Sequence, residues 1–247
     1  MITTQTTRRT ALTGVAATAA LGLTAGPANA RTRGPRIGVL LYDGFSLLDP
    51  TGPAELLSRL PGATVTMIAE HRGPVHTDTR QVSVLAERSV AEIDRLDVLL
   101  VPGAGNRGTV AAMQNPVLLD WIRRIDRHTT WTTSVCTGAL ILGAAGLLRD
   151  RATTYWASAS YLESTFGVKY VSERYVRTGK VITAAGVSAG IDLALCLAAL
   201  IAGEETARAV QLAVEYDPHP PFDSGNAATA SPELKALALQ LLAQSQK

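Results

Sequence analysis

Residues 130–139 of the chain read TWTTSVCTGA. The first part, Thr130 to Val135, is rich in β-branched residues and predicts a strand, whereas the apolar run from Thr137 to Leu148 predicts a helix. Cys136 therefore falls between a strand and a helix with no intervening loop. This arrangement resembles the nucleophile elbow of hydrolases, in which a sharp turn directs the side chain into the active-site crevice. We predict that Cys136 is a nucleophile at such a turn.

The surroundings expected for Cys136 support that role but leave an alternative open. Free N–H groups and the dipole of the following helix are expected to lower the pKa of the thiol. A glycine-rich loop at residues 103–108 follows another predicted strand. Its backbone N–H groups are candidates for binding a developing anion near the sulfur. The alternative is a buried core cysteine at a strand end, which behaves as a small hydrophobe.

The segments around the elbow alternate between strand and helix patterns. Short apolar or β-branched runs predict strands at Arg36–Tyr42, Thr64–Ala69, Asp97–Val101, Thr130–Val135 and Lys180–Ala184, with Val82–Ala86 as an edge strand. Helices are predicted near Asp49, at Pro116–His128, Thr137–Leu148, Gly186–Ala202 and Glu204–Val214, and from Pro232 onward. Such alternation predicts an α/β fold with a mostly parallel sheet and helices on both faces. We see no linker that divides residues 35–215, and we expect residues 31–247 to form a single domain.

Residues 1–30 have the pattern of an export signal. Arg8 and Arg9 precede an apolar core from Ala11 to Ala25, and the small residues at 28–30 provide a cleavage site. The arginine pair and the lack of acidic residues indicate the twin-arginine route. A spanning helix is the alternative, but the core is shorter than the roughly 20 residues that a bilayer requires. We therefore expect a secreted, periplasmic or cell-envelope protein without a membrane span in its mature form.

The charge balance and the cysteine and histidine content disfavour several functions. Removing Arg8 and Arg9 leaves 21 basic residues against 21 acidic ones. This charge balance gives no indication of binding to nucleic acid or to an anionic membrane. The second cysteine, Cys196, lies in an apolar helical pattern and is interpreted as buried filler rather than as a disulfide partner. The four histidines have no metal-ligand spacing and none falls at a strand end. A zinc enzyme and a Cys–His protease are both disfavoured.

Asp49 is the second candidate catalytic residue. An aspartate before a proline is typical of a helix N-cap followed by the first helical position, which would be a structural role. If that helix begins beside the elbow, however, the carboxylate can reach the thiol of Cys136 and share a proton with it. Such a pair suits general acid–base catalysis.

Five ordered motifs resemble the ThiJ/PfpI superfamily, the single-domain relatives of the class I glutamine amidotransferases. The motifs are residues 42–53 (YDGFSLLDPTGP), 101–103 (VPG), 134–139 (SVCTGA), 183–192 (TAAGVSAGID) and 215–222 (EYDPHPPF). The resemblance covers about Arg36 to Phe222 and implies a flavodoxin-like three-layer sandwich. It also implies a homodimer, and we expect neither a cofactor nor a metal.

Within the superfamily the chain is most similar to the isonitrile-hydrating members, which implies a reaction and a set of site residues. The reaction is the addition of water to a small isonitrile, giving an N-substituted formamide. The resemblance implies that Cys136 is the nucleophile, Asp49 its acid–base partner and Thr137 a third functional residue. Backbone N–H groups near Gly103 and Ala104 would orient water or the substrate nitrogen.

Two positions depart from the pattern of the relatives. Many of them have a second glycine where this chain has Ala104, and a histidine is common where this chain has Tyr155. A tyrosine can still donate a hydrogen bond. We therefore keep Tyr155 among the residues expected to contact the substrate.

Two other functions use the same domain. It forms the ligand-sensing half of some AraC-type transcription regulators, but those carry a C-terminal helix-turn-helix pair, whereas about 25 residues follow Phe222 here. The other function is that of a thiol-based stress or carbonyl-damage protein acting through an oxidisable Cys136. An accessible thiol of low pKa serves an enzyme and a sensor equally well, so this alternative stays open.

Overall fold

The computed structural model describes residues 34–246, and the export signal predicted at residues 1–30 lies outside them. The strands are β1 Arg36–Leu40, β2 Thr64–Ala69, β3 Gly73–His76, β4 Ser83–Ala86, β5 Arg88–Ser89, β6 Val98–Val101, β7 Trp131–Val135, β8 Arg151–Ala152, β9 Lys169–Tyr170, β10 Tyr175–Thr178 and β11 Val181–Ala184. The helices are α1 Leu48–Leu57, α2 Asn106–Gln114, α3 Pro116–Asp126, α4 Gly138–Ala144, α5 Ala159–Phe166, α6 Ala189–Ala202, α7 Glu204–Ala213 and α8 Pro232–Ser245.

Seven strands form the central sheet in the order β10-β11-β7-β6-β1-β2-β5. All neighbours pair in parallel except β10, which runs antiparallel to β11. One core packs α2 to α5 on one face of the sheet, and a second packs α1, α6 and α7 on the other. The predicted α/β sandwich with a mostly parallel sheet is therefore confirmed.

The topology places a crevice at one edge of the sheet. The chain leaves β1 towards β2 on one side, whereas β6 and β7 lie on the other side of β1. In open α/β sheets such a change of direction leaves a ligand-binding crevice outside the carboxyl ends of the strands. Residues that follow β1, β6 and β7 are consequently brought to the same place.

Several predicted boundaries were wrong. The helix expected at Thr137–Leu148 ends at Ala144, because Gly146 adopts a positive φ of 73° that breaks it. The helix expected from Gly186 begins at Ala189, after a turn in which Ala189 N–H donates to the Gly186 carbonyl. The glycine-rich loop is shorter than expected, because α2 already begins at Asn106.

The predicted edge strand was also misplaced. Ser83–Ala86 pairs antiparallel with Gly73–His76 in a separate two-stranded sheet, and the central sheet instead ends at the two residues of β5. At the opposite edge lies β10, which was not predicted from the sequence. This strand joins β11 through a tight hairpin in which Gly179 has a φ of 62°.

Two helices differ from their expected environment. Cys196 on α6 is partly exposed rather than buried, and both cysteines are free thiols. Helix α8 begins at Pro232, as predicted, but none of its residues is buried. Within residues 34–246, no helix has both the length and the apolar character needed to cross a membrane.

Candidate active site

Cys136 forms the sharp turn between β7 and α4. Its φ is 56°, a left-handed conformation that is costly for a residue with a side chain. Neighbouring strands and loops hold this backbone in place: Cys136 N–H donates to the carbonyl of Ala185 at 2.8 Å, and the Thr154 hydroxyl donates to the Cys136 carbonyl at 3.0 Å. The predicted elbow geometry is therefore present at Cys136.

Gly138 allows the elbow to sit close to the neighbouring strand. A Cβ atom at this position would lie 2.2 Å from the carbonyl oxygen of Val101 and 2.8 Å from that of Pro102. Helix α4 can thus begin directly against the end of β6 only because residue 138 has no side chain.

Asp49 lies inside α1 rather than at its N-cap, which is Leu47. Its side chain is completely buried. One carboxylate oxygen, Oδ2, accepts a hydrogen bond from Gly103 N–H at 2.7 Å, and the other, Oδ1, has no partner among the described residues. The N-cap role that the sequence left open is therefore wrong, and within the part of the chain that the structure describes one carboxylate oxygen has no hydrogen-bond partner.

Gly103 marks the point where the two candidate catalytic residues meet. A Cβ atom on Gly103 would lie 2.8 Å from Asp49 Oδ2, 2.8 Å from Cys136 Cβ and 2.7 Å from the backbone nitrogen of Thr137. The carboxylate, the cysteine and the start of α4 therefore surround one glycine.

The pKa values of this pair are shifted upward. Burial raises the pKa of Asp49 to about 7, against the opposing hydrogen bond from Gly103, and the charge of Asp78 adds to the rise. Burial and the charge of Asp49 raise the pKa of the Cys136 thiol well above its usual value. The expectation of a lowered thiol pKa was wrong, because the helix N-terminal N–H groups do not compensate for burial beside a carboxylate.

Two backbone groups oppose that rise. Hydrogen bonds from the N–H groups of Thr137 and Val187 lower the pKa of the Cys136 thiol, as does the Thr137 hydroxyl to a smaller degree. Val187 was not among the predicted site residues, although it lies in a motif that follows β11. These donors favour the thiolate whenever the proton leaves it.

Thr137 organises the loop that follows β6. Its hydroxyl accepts from Ala104 N–H at 2.9 Å and shares a hydrogen bond of 2.8 Å with the hydroxyl of Thr109. Since Gly103 N–H is bound to Asp49, neither of the N–H groups that we expected to orient the substrate is free. Their role is to fix the side chains of Asp49 and Thr137.

Tyr42 and Thr109 form buried hydrogen bonds to the loop that follows β6, although neither was predicted to belong to the site. The Tyr42 hydroxyl donates to the Pro102 carbonyl at 2.7 Å, and the Thr109 hydroxyl contacts the Ala104 carbonyl at 3.1 Å. Burial raises the pKa of Tyr42, and the charges of Asp49 and Cys136 add to the rise. Tyr42 is the first residue of the motif at residues 42–53, which follows β1, so the sequence did contain a signal for it. Nothing in the sequence distinguishes Thr109 from other threonines.

A cavity of about 450 Å³ lies beside the elbow. Its lining includes Thr154, Tyr155, Ala185 and Val187, all close to Cys136. Burial raises the pKa of Tyr155, and the charge of Cys136 raises it further. The tyrosine hydroxyl and the sulfur are therefore close enough to interact electrostatically. The structure thus brings together Cys136, Asp49 and the loop that carries Gly103, with Tyr155 in the wall of the adjoining cavity.

The chemistry available to this site is proton transfer and nucleophilic attack. Within residues 34–246, no group of three or more His, Cys, Asp or Glu side chains is arranged to hold a metal ion. A thiol beside a carboxyl group whose pKa is near neutrality can pass one proton between them and to a bound molecule.

Known proteins share this fold and much of the sequence. The model of the DJ-1/PfpI family matches residues 35–200. Isonitrile hydratase from Pseudomonas putida is 42% identical over 196 residues, which make up 79% of this chain and 84% of that enzyme. A ThiJ/PfpI family protein from Pseudomonas syringae superimposes with a TM-score of 0.80 at 34% identity, covering 85% of this chain and 87% of that one.

A transcription regulator contains a similar segment. The HTH-type transcriptional regulator CdhR from Pseudomonas aeruginosa is 36% identical over 184 residues. These residues make up 72% of this chain but only 53% of the regulator. The similarity is therefore to one part of that protein.

Proposed function

Because the chain belongs to the DJ-1/PfpI family, we propose that it adds water to small isonitriles and releases N-substituted formamides. The observation that carries this proposal is the buried pair of Cys136 and Asp49, in which Asp49 Oδ1 has no partner among the described residues. The name of the 42% identical relative from Pseudomonas putida supports the choice of reaction. The site supplies the two groups that the reaction needs, a nucleophile and a proton carrier.

The first half of the reaction forms a bond between the sulfur and the isonitrile carbon. The Asp49 carboxylate accepts the thiol proton of Cys136 and delivers it to the terminal carbon of the isonitrile. The thiolate attacks the same carbon, and a covalent thioimidate results. Asp49 is then a carboxylate again, so the protons balance.

The second half releases the product. The oxygen of a water molecule adds to the thioimidate carbon while Asp49 accepts a proton from that water. Asp49 then passes the proton to the substrate nitrogen. The C–S bond of the tetrahedral intermediate then breaks, while the hydroxyl proton returns through Asp49 to the sulfur of Cys136. One water has been consumed and an N-substituted formamide leaves.

The neighbouring groups have positioning roles in this scheme. The N–H groups of Thr137 and Val187 stabilise the thiolate when it is formed and when it departs. The Thr137 hydroxyl holds the Ala104 loop, and Tyr155 contacts the substrate from the cavity wall.

A sensor of oxidative damage has less support. Cysteines that oxidise readily are exposed and have a low pKa. Cys136 is only 4% exposed, and burial raises its pKa. Both properties favour a thiol that reacts when a substrate is bound.

The test is an assay of N-cyclohexylformamide formation from cyclohexyl isocyanide by wild type, Cys136→Ala, Asp49→Asn and the matched control Cys196→Ala. We expect product from wild type and from the Cys196 variant, none from Cys136→Ala, and a loss of about 10²–10⁴-fold for Asp49→Asn. Absence of product with wild type would refute the reaction. Product formation by Cys136→Ala would refute the nucleophile.

A further inference from the structure

The cavity beside Cys136 is lined by both apolar and polar residues. At its inner end, Val187 N–H bonds the sulfur and the Ala185 carbonyl accepts from Cys136 N–H. Leu48 adds an apolar wall. Ser172 and Glu173 line the same cavity from the segment that precedes β10. At about 450 Å³ the cavity has room for a ring attached to the isonitrile nitrogen.

Three aromatic side chains line this cavity, namely Tyr155, Trp156 and Tyr170. The rings of Tyr155 and Trp156 have centroids 5.4 Å apart and planes inclined at 55°, so they present differently oriented faces. The face of an aromatic ring attracts a cation, and several rings around one cavity are the usual means of binding an ammonium group.

Two charged residues line the cavity, Glu173 and Arg174. Arg174 lines the cavity, but its guanidinium is ion-paired with Asp192 at 2.5 Å and contacts the Ser188 hydroxyl at 3.3 Å. None of the ion pairs found between described residues includes Glu173. Glu173 therefore lines the cavity as an exposed residue that has no ion pair among the described residues.

We propose that the cavity selects isonitriles whose N-substituent carries an ammonium group, with Glu173 as the counter-ion and Trp156 and Tyr170 as aromatic walls. This specificity rests on the proposed hydration at Cys136. In this arrangement the isonitrile carbon lies at the sulfur, the apolar part of the substituent packs against Leu48 and Tyr155, and the cation lies beside Glu173.

A pair of isonitriles of nearly equal shape tests the proposal. Piperidin-4-yl isocyanide differs from cyclohexyl isocyanide in one ring position, where an NH₂⁺ replaces a CH₂. We expect wild type to favour the cationic compound about fivefold in kcat/KM, mainly through a lower KM, because a partly exposed ion pair and one cation–π contact each contribute modestly. High salt should reduce this preference.

Variants identify the source of the preference. Glu173→Gln should abolish it and Trp156→Leu should reduce it, whereas Glu205→Gln, which removes an exposed carboxylate on α7, should leave it unchanged. Equal kcat/KM for the two isonitriles, or a preference that survives Glu173→Gln, would overturn the proposal.

A binding measurement separates this proposal from the hydration chemistry. The formamides of the two isonitriles are titrated calorimetrically into Cys136→Ala and into the same variant with Glu173→Gln. Tighter binding of the piperidinyl formamide that depends on Glu173 supports the recognition site, even if neither isonitrile is hydrated. Equal binding of both formamides contradicts it, whatever the activity.

Discussion

The burial of Asp49 has a cost to stability. Its side chain is fully buried, and only one of its two oxygens has a hydrogen bond within residues 34–246. An ionised carboxylate in such a place loses hydration that one N–H donor does not replace. The same isolation raises its pKa to about 7, so that it can both accept and donate a proton near neutrality.

Replacing this carboxylate should stabilise the fold at neutral pH. In the unfolded chain Asp49 ionises near pH 4, whereas in the folded chain its pKa is about 7. Wild type should therefore lose up to about 4 kcal/mol of stability as the pH rises from 4 to 7, and no more above it. Asp49→Asn should not show this loss.

Urea unfolding of wild type and Asp49→Asn at pH 4.5, 6 and 8 measures the effect. The difference in free energy of unfolding should move in favour of the variant as the pH rises. Asp94→Asn, at an exposed position, is the control and should follow wild type. Parallel pH dependence of wild type and Asp49→Asn would show that the carboxyl group is not buried as described.

At the residue scale the sequence predicted that Cys136 and Asp49 lie close together, but it did not predict their hydrogen-bond partners. Cys136 and Asp49 follow predicted strands, and parallel strands bring such residues to one edge of the sheet. The N–H groups of Gly103 and Ala104 donate to Asp49 and Thr137. Which acceptor each N–H group finds depends on differences of a few tenths of an ångström in the donor–acceptor distance. Sequence patterns do not contain that information, and the expectation of free donors failed for that reason.

At the scale of elements, the elbow depends on the close approach of β6 and α4. Gly103 and Gly138 both occupy positions where a Cβ atom would overlap neighbouring atoms. The strand, the helix and the loop therefore pack as one unit around the site, and a single methyl group can disturb all of them.

Gly103→Ala tests this packing. The new methyl group would press on Asp49, Cys136 and the backbone of Thr137, so we expect a loss of about 1–3 kcal/mol in stability and a fall in hydration activity. Gly225→Ala is the control for stability only, because no atom of the described residues lies within 4 Å of its added Cβ. Thermal unfolding compares the two. Equal melting temperatures would contradict the packing described here.

The elements that sequence patterns predicted best are those in the core. The runs at β1, β6 and β7 are nearly continuous and apolar or β-branched, because these strands are buried along almost their whole length. The short strands β8 and β9 have two residues each and leave no periodic signal. The hairpin of β3 and β4 has the alternation of a strand, but alternation does not reveal which sheet a strand joins.

For the whole molecule, the family domain and the three-layer architecture agree with the sequence analysis, while export and the oligomeric state stay predictions. Helix α8 bears on the oligomeric state. Its exposed leucines are Leu234, Leu237, Leu239, Leu241 and Leu242, each at least 39% exposed. An apolar surface of this kind on a soluble domain usually marks a contact with another chain.

We therefore expect a homodimer in which α8 takes part. Sedimentation equilibrium should give twice the chain mass for wild type, and Leu241→Lys should weaken the association by burying a charge. Gln240→Lys adds the same charge to the same helix and should have a smaller effect. A monomeric wild type at micromolar concentration would contradict the expectation.

The central claim is that Cys136 and Asp49 act as a pair sharing one proton, and the pH dependence of kcat/KM tests it most directly. For cyclohexyl isocyanide between pH 5 and 9, kcat/KM should rise about tenfold per unit below an apparent pKa of about 7 and level off above it, because Asp49 must be ionised to accept the thiol proton. A kcat/KM that is constant across this range, or that falls as the pH rises through 7, would contradict the account.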